Sequence, residues 1–298
     1  MGLILTLIAD PATPSLEDSI VARVREALAA EGGAPAATRW LAPKIACEIA
    51  LGHGSGVAAT DIARRALDEA PVDVAALPAN GRRKMLLVAD MESTLIENEM
   101  LDELAARAGI GGKVAEITRR TMNGELDFEA SFRERIAMLR GAPTRWLDEV
   151  KARIRVMPGA TTLVRTMRAH GARVAIVSGG LCAFTRHVQA LLGADEEHGN
   201  EIEVVDGKLT GRPRGPVLGR DAKLATLRRL AEQMRLDESA TLAVGDGAND
   251  VPMLSAAGLG VAFRAKPAVS AAAPVRIDHA DLTALLYLQG YSSEEFAS

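Results

Sequence analysis

The 298-residue sequence predicts an α/β protein: a doubly wound parallel sheet with a helical cap inserted after its first strand, preceded by a small α+β unit. Three observations predict it. Four short, uninterrupted apolar runs, "MLLVA", "RVAIV", "TLAV" and "LGVAF", read as strands buried on both faces. Helical patterns separate most of them, which is the alternation of βαβ units. The stretch at about 97–155 breaks that alternation with helix-like segments alone, directly behind the first strand.

The first element, "LILTLI", is a strand; the opening "MGLILT" also fits a myristoylation pattern through Gly2 and Thr6, but its residues are strand formers. "SLEDSIVARVREALAAEG" is a helix with Ser15 as N-cap and Gly32 as terminator. "ATRWLA" and "KIACEIAL" are strands parted by Pro43, "AATDIARRALDEA" is a second helix and "VDVAAL" a last strand. The order β-α-β-β-α-β over residues 1–80 is ferredoxin-like. "PANGRRK" reads as a linker. The second unit, residues 84–298, is Rossmann-like. Its helices are "TTLVRTMRAHG", "LCAFTRHVQALLG", "DAKLATLRRLAEQM" and "VPMLSAAG". "EIEVV" and "KLTG" around Asp206-Gly207 form a hairpin. An insertion at 97–155 would sit over the carboxyl ends of the strands, where open α/β sheets bind ligands.

Bulk properties exclude several classes. Apolar residues make up 48% and charged residues 25%, the balance of a folded globular chain. A net charge of −4 supplies no basic field for nucleic acid or an anionic membrane. Aromatics at 3% are too few for a base-stacking platform. No apolar run approaches the ~20 residues that span a bilayer, and the start lacks the basic region of a signal peptide. Two distant cysteines, Cys47 and Cys182, fit a reducing compartment, so the expected location is the cytoplasm. His53 reads as a solvated loop residue. His170, His187, His198 and His279 lack ligand spacing, Cys182 reads as a small buried residue, and Met85, Met122, Met138 and Met253 read as core.

The residues just behind the buried strands carry the chemistry. After "MLLVA" come Asp90 and Glu92; after "RVAIV", Ser178-Gly179-Gly180; after "TLAV", Gly245-Asp246-Gly247-Ala248-Asn249-Asp250. Parallel strands put all three loops on one sheet edge. Clustered carboxylates are costly unless a cation neutralises them, and hard oxygen donors suit Mg²⁺. Exposed N–H groups and Lys223, at the start of a helix, suit a phosphate. Together these describe a phosphoryl-transfer site with a carboxylate nucleophile.

The ordered set Asp-x-acid-x-Thr, Ser-Gly-Gly, Lys, Gly-Asp-Gly-x-Asn-Asp resembles the haloacid dehalogenase-like phosphatases, over roughly residues 84–290. Within them, "ESTLIENEMLDELA", "MNGELDFEASFRERIAMLRG", "VSGG", "DGKLTG" and "VGDGANDVPML" are similar to the phosphoserine-hydrolysing branch. The resemblance implies hydrolysis of O-phospho-L-serine to L-serine and phosphate through an aspartyl-phosphate, the last step of serine biosynthesis. It implies that Asp90 is nucleophile and Mg²⁺ ligand, and that Glu92 gives its carbonyl to the metal and its carboxylate to acid–base work. Asp246 is the third ligand, and Asp250 supports the metal shell. Ser178, Gly179 and Lys223 hold the phosphoryl group, and Asn249 contacts substrate. In the cap, Glu99 meets the substrate ammonium, Arg135 its carboxylate, and Phe128 closes the site.

One departure matters: the family pattern has Asp where this chain has Glu92, one methylene longer. Two alternatives therefore stay open, a phosphatase for another small phosphomonoester and a phosphoserine-binding regulatory protein with weakened catalysis. The first 80 residues resemble ACT-type amino-acid-sensing modules in element order, which leaves three roles for that unit: binding serine, mediating a homodimer, or packing against the rest of the chain.

Overall fold

The computed structural model describes residues 2–52, 54–122 and 125–297, the side chains of Met122 and Arg220 excepted. The expectations for His53 and for the Met122 side chain lie outside the described residues.

The first unit comprises β1 (Leu3–Ala9), α1 (Asp18–Ala30), β2 (Thr38–Ala42), β3 (Ala46–Leu51), α2 (Gly56–Leu67) and β4 (Val72–Pro78). Its antiparallel sheet has the order β2-β3-β1-β4, as the ferredoxin-like reading requires. Leu5, Leu7, Ile49 and Val74 pack one face against Val21, Val24 and Leu28 of α1 and Ala59, Ala63 and Leu67 of α2. The other face is also covered: Ile8, Leu41, Ala46 and Ala75 join the main core, which contains Tyr287 and Tyr291. Burial on both sides explains why "LILTLIA" lacks polar alternation. Ser15 is not the N-cap. Helix α1 begins at Asp18 behind Glu17, which makes no side-chain cap. The reason is Leu16, fully buried, whose N–H bonds the Lys44 carbonyl at 3.0 Å and pins the chain before the first turn.

The second unit begins with β5 (Leu86–Ala89) and continues into α3 (Met100–Arg107), α4 (Gly111–Met122), α5 (Phe128–Ala137) and α6 (Arg145–Lys151), the cap. Next come α7 (Ala160–Ala169), β6 (Arg173–Leu181), α8 (Cys182–Leu192), β7 (Glu196–Asn200), β8 (Ile202–Val205), β9 (Lys208–Pro213) and α9 (Arg220–Gln233). The chain closes with β10 (Thr241–Gly245), α10 (Val251–Ala256), β11 (Leu259–Phe263), α11 (Pro267–Ala272), β12 (Val275–Ile277) and α12 (Ala284–Leu288). Six strands form a parallel sheet in the order β12-β11-β10-β5-β6-β7. Leu86 and Val88 face Leu227, Leu230, Met253 and Leu254; Leu87 and Ala89 face the side of Leu163, Val164, Phe184 and Val188. Each such Leu, Val, Phe or Met side chain, fully buried, contributes roughly 1.5–3 kcal/mol. Strand order reverses between β5 and β10, which opens a crevice at their carboxyl ends.

Two strands, besides the short helices α11 and α12, escaped the sequence reading. Strand β7 reads "EEHGN", because it is an edge strand whose carboxylates meet Arg173, Arg186 and Arg229. Strand β12 has only three residues. Met85, expected in the core, is 37% exposed, since it precedes the first buried residue of β5. Cys182 is buried and unbridged.

The cap is tied to the sheet at its base. The Glu97 N–H donates to the Arg155 carbonyl (2.9 Å) and the Arg155 N–H to Asn98 Oδ1 (2.8 Å), so the two connectors run side by side. The β8–β9 hairpin turns at Asp206 (φ 50°) and Gly207 (φ 71°), both left-handed as a two-residue turn demands. It is stitched to the cap through Gly141 N–H to Leu209 O (2.8 Å) and Leu209 N–H to Ala142 O (2.9 Å). Among the described residues no helix is long and apolar enough to cross a membrane.

Buried polar contacts join the two units. Arg82 forms an ion pair with Glu48 and donates to the Leu288 carbonyl at 3.1 Å and the Tyr287 carbonyl at 3.2 Å. Asp73 accepts the backbone N–H groups of Asp278 (2.8 Å), His279 (3.1 Å) and Ala280 (2.8 Å). Removing one member of a buried pair strands the other charge. Glu48 also keeps the more exposed Arg39 at 3.0 Å, so Arg82→Met is expected to cost about 1.5–3 kcal/mol in urea unfolding, still more than loss of the exposed Arg228–Glu238 pair.

Candidate active site

Three strand tips build the site. Asp90 sits directly behind the last residue of β5, and its N–H bonds the Val244 carbonyl of β10 at 3.0 Å, which locks two tips together. Just past Glu92 the chain has already bent away: Ser93 adopts a left-handed φ of 55°, a conformation that a non-glycine residue takes only where its surroundings enforce it. The second tip differs from expectation. Strand β6 runs on through Ser178, Gly179 and Gly180 to Leu181, with a register break against β7 between Val177 and Leu181. The third tip is the Gly245–Asp250 turn. Gly245 is required there: a β-carbon would lie 2.3 Å from Cγ of Asp250.

Lys223, in the first turn of α9 and 3% exposed, stands between two carboxylates. Its Nζ is 2.8 Å from Asp90 Oδ1 and 2.5 Å from Asp250 Oδ1. The other Asp250 oxygen accepts the Gly247 N–H at 3.0 Å. Oxygens of Asp90, Asp246 and Asp250 all lie within 4.8 Å of one another. Burial alone would depress the Lys223 ammonium, but Asp250 and Asp90 hold it above the usual lysine range. The carboxylates suffer in turn. Burial, reinforced by Asp250, raises Asp90 well above the ordinary range even though Lys223 opposes it. Burial and Asp250 push Asp246 up to about 6. One lysine does not neutralise this cluster, and a second cation would relieve it.

Glu92 projects from the same tip. Its Oε1 accepts the Met100 N–H at 2.8 Å, one of the free donors at the start of cap helix α3. Its Oε2 lies 3.4 Å from Ser178 Oγ. Burial first, then Glu99, push Glu92 up to about 8, against the pull of the Met100 N–H and Arg135. The extra methylene thus leaves the carboxyl inside the site, in reach of both the cap and the Ser178 loop.

The cap residues line the opposite wall. Phe128, first residue of α5 and held by the Asp127 cap, packs onto Gly179, where a β-carbon would lie 2.4 Å from its Cζ. Phe128, Ser178, Gly179, Lys223 and Asn249 line one narrow cleft, together with Gly219. Glu99, exposed at the rim, accepts from Ser93 Oγ at 2.7 Å. Arg135 is half-buried and, among the described residues, donates only to neutral oxygens, Thr118 Oγ1 at 3.3 Å and the Ser131 carbonyl at 3.4 Å. It makes no ion pair with any described residue, although Asp102, Glu92 and Glu99 all act on its charge from a distance. The structure therefore gathers Asp90, Asp246, Asp250 and Lys223 into one cluster and Phe128, Ser178, Gly179 and Asn249 around the cleft that Lys223 also lines. Glu92 reaches the cap, whereas the hydrogen bonds of Arg135 to described residues stay within the cap. Sequence reasoning missed Gly219, which carries no functional side chain, and Asn200, which closes the unseen strand β7.

The sequence signature of the haloacid dehalogenase-like hydrolases matches residues 87–255, more than half of the chain and all three tips. The chain belongs to the haloacid dehalogenase-like hydrolases. This hydrolase is 46% identical over 226 residues to the phosphoserine phosphatase of Streptomyces coelicolor, covering 75% of this chain and 55% of that one. It thus spans about half the length of that curated relative. It superposes on a probable phosphoserine phosphatase from Vibrio cholerae with a TM-score of 0.79 at 34% identity, over 99% of this chain and 88% of that one. A substrate-bound phosphoserine phosphatase complex gives a TM-score of 0.65 at 38% identity, over 69% of this chain and 98% of that one. These two structural likenesses extend the hydrolase fold to the α/β sheet, its helical insert and, in the Vibrio protein, the unit in front.

Proposed function

We propose that this hydrolase removes the phosphoryl group from O-phospho-L-serine, releasing L-serine and phosphate in the cytoplasm as the closing step of serine biosynthesis. The observation that carries the substrate is Arg135. Among the described residues the half-buried Arg135 guanidinium has no carboxylate partner, while Asp102, Glu92 and Glu99 act on it from a distance, and this suits a ligand with its own carboxylate. Glu99 at the rim suits the ammonium, and the Lys223 and Ser178–Gly179 wall suits the phosphoryl oxygens. The similarity to phosphoserine phosphatases supports the same reading.

The residues divide the work. Asp90 Oδ attacks phosphorus as the P–O bond to the serine oxygen breaks, leaving an aspartyl-phosphate. Glu92, raised to about 8 and so protonated at neutral pH, gives its proton to the departing oxygen. It then takes a proton from the water that attacks phosphorus and returns Asp90 to its free form. Lys223, the Ser178 hydroxyl and the Gly179 N–H hold the phosphoryl oxygens, Asn249 contacts the substrate, and Phe128 excludes bulk water. The donor set fits Mg²⁺: Asp90, Asp246 and the Glu92 carbonyl would hold it. Asp250, both oxygens already engaged by Lys223 and the Gly247 N–H, would support from behind. When bound, the ion supplies positive charge that offsets repulsion between Asp90 and the phosphoryl oxygens.

The test is phosphate release from a panel of phosphomonoesters, with Mg²⁺ and with chelator. Phosphoserine is expected to be the best substrate, and chelator to abolish turnover. Arg135→Met is expected to raise KM for phosphoserine about 10- to 150-fold, the worth of one charged hydrogen bond, and to leave an ester without a carboxylate unaffected. Equal effects on both esters would remove the substrate assignment.

Glu92 also sets a pH dependence. Its carboxyl rises from 4.5 to about 8 on folding, so the native chain binds more protons than the unfolded chain across that window. Stability of the metal-free protein is therefore expected to fall as pH rises from about 4.5 to 8, and Glu92→Gln to flatten the curve. Urea midpoints measured in chelator at several pH values check this. Turnover is expected to decline above about pH 8 as the donor proton is lost.

A further inference from the structure

Asn200 is the last residue of β7 and is 2% exposed. Its Nδ2 donates to the Gly179 carbonyl at 2.8 Å, and its Oδ1 accepts the Leu218 N–H at 2.7 Å. The partners fix the amide orientation, because a carbonyl only accepts and an N–H only donates. Both contacts end on walls of the cleft: Gly179 on one side, and on the other Leu218 and Gly219, which lead into the helix of Lys223.

Peptide geometry carries this clamp to the reacting atoms. In a trans peptide the C=O and the next N–H point in opposite directions. Holding the Gly179 carbonyl toward Asn200 turns the Gly180 N–H the other way, where it donates to Ser178 Oγ at 2.9 Å. Ser178 Oγ accepts on that side, so its own proton is free to point into the site, toward Glu92 Oε2 at 3.4 Å here. We propose that Asn200 is a positioning residue for phosphoryl transfer, clamping the Ser178–Gly180 loop to the Leu218–Gly219 segment and thereby aiming the Ser178 hydroxyl proton at the phosphoryl group. This deepens the phosphatase reading and rests on it.

The test uses the full chain with Mg²⁺ and two variants. Asn200→Asp keeps the acceptor for Leu218 but sets a carboxylate against the Gly179 carbonyl; Asn200→Ser shortens the clamp without adding charge. Both are expected to lose about 10- to 100-fold in kcat, the usual consequence of a small misplacement of a reacting-centre donor. Inhibition by orthovanadate is expected to weaken at least ~10-fold, while inhibition by L-serine, held by the cap residues, stays within about 2-fold. A merely structural role would move both inhibitors together, and that result, or wild-type kcat in either variant, overturns the proposal. If Asn200→Asp does not fold, Asn200→Ser decides. If the wild type releases phosphate from another ester but not from phosphoserine, the substrate assignment fails, and Asn200 is judged on that ester and on orthovanadate.

Discussion

Asp90→Asn is expected to lower phosphate release by about 10⁴-fold or more, because an amide oxygen cannot open the covalent route. The variant keeps the shape of the side chain, so the loss reports on chemistry. Trapping with labelled substrate is expected to yield a phosphorylated wild-type chain and none in the variant. Stability should move the other way. Asp90 sits buried beside Asp250 and Asp246, and its charge is opposed by burial itself. Removing that charge relieves repulsion, while Lys223 keeps Asp250 as partner at 2.5 Å. The urea midpoint in chelator is expected to hold or rise. A variant that stays active, or one that is inactive only because it is unfolded, would contradict the assignment.

Lys223→Met is expected to damage both activity and fold. The side chain is 3% exposed and bridges Asp90 and Asp250, so its loss strands two buried carboxylates. Breaking a buried pair in this one-sided way costs about 3–5 kcal/mol. Turnover is expected to fall at least ~10²-fold, since one donor to the transferring group is gone. Lys223→Arg is not expected to rescue it, because a planar fork cannot occupy a site shaped for a compact ammonium. The double variant Lys223→Met with Asp250→Asn removes one charge of each sign. It is expected to recover much of the stability and none of the activity. Stabilisation by Mg²⁺, read as the shift in urea midpoint, should be larger in Lys223→Met than in the wild type, because added positive charge then meets a less compensated cluster.

The three strand tips were legible because central parallel strands are buried on both faces. Such strands stand out as apolar runs, and the first polar residue behind each lies at or near its carboxyl end, although β6 itself runs on through Ser178 to Leu181. Asp90, Ser178 and Gly245-Asp246 could therefore be set on one sheet edge from the sequence alone. The cap was legible only as a break in alternation. That Phe128 lies on Gly179, and that Glu92 reaches the Met100 N–H, depends on how the cap settles over the sheet, and no local pattern encodes that angle. Strand β7 was illegible because its edge position replaces apolar neighbours with arginine partners, and Asn200 was lost with it. The first turn of α1 was misplaced for a similar reason: burial of Leu16 outweighed the capping preference of Ser15.

Residue type and order along the chain settled which chemical groups this hydrolase has and which end of the sheet presents them, since backbone pairing and burial of apolar strands arise from local pattern. The folded packing alone settled their charge states and partners. Lys223 sits between Asp90 and Asp250 at 2.8 and 2.5 Å, and Arg135 is half-buried without a counterion among the described residues. Electrostatic energy depends on separation and on exclusion of water, and both arise only when segments distant in sequence are brought together.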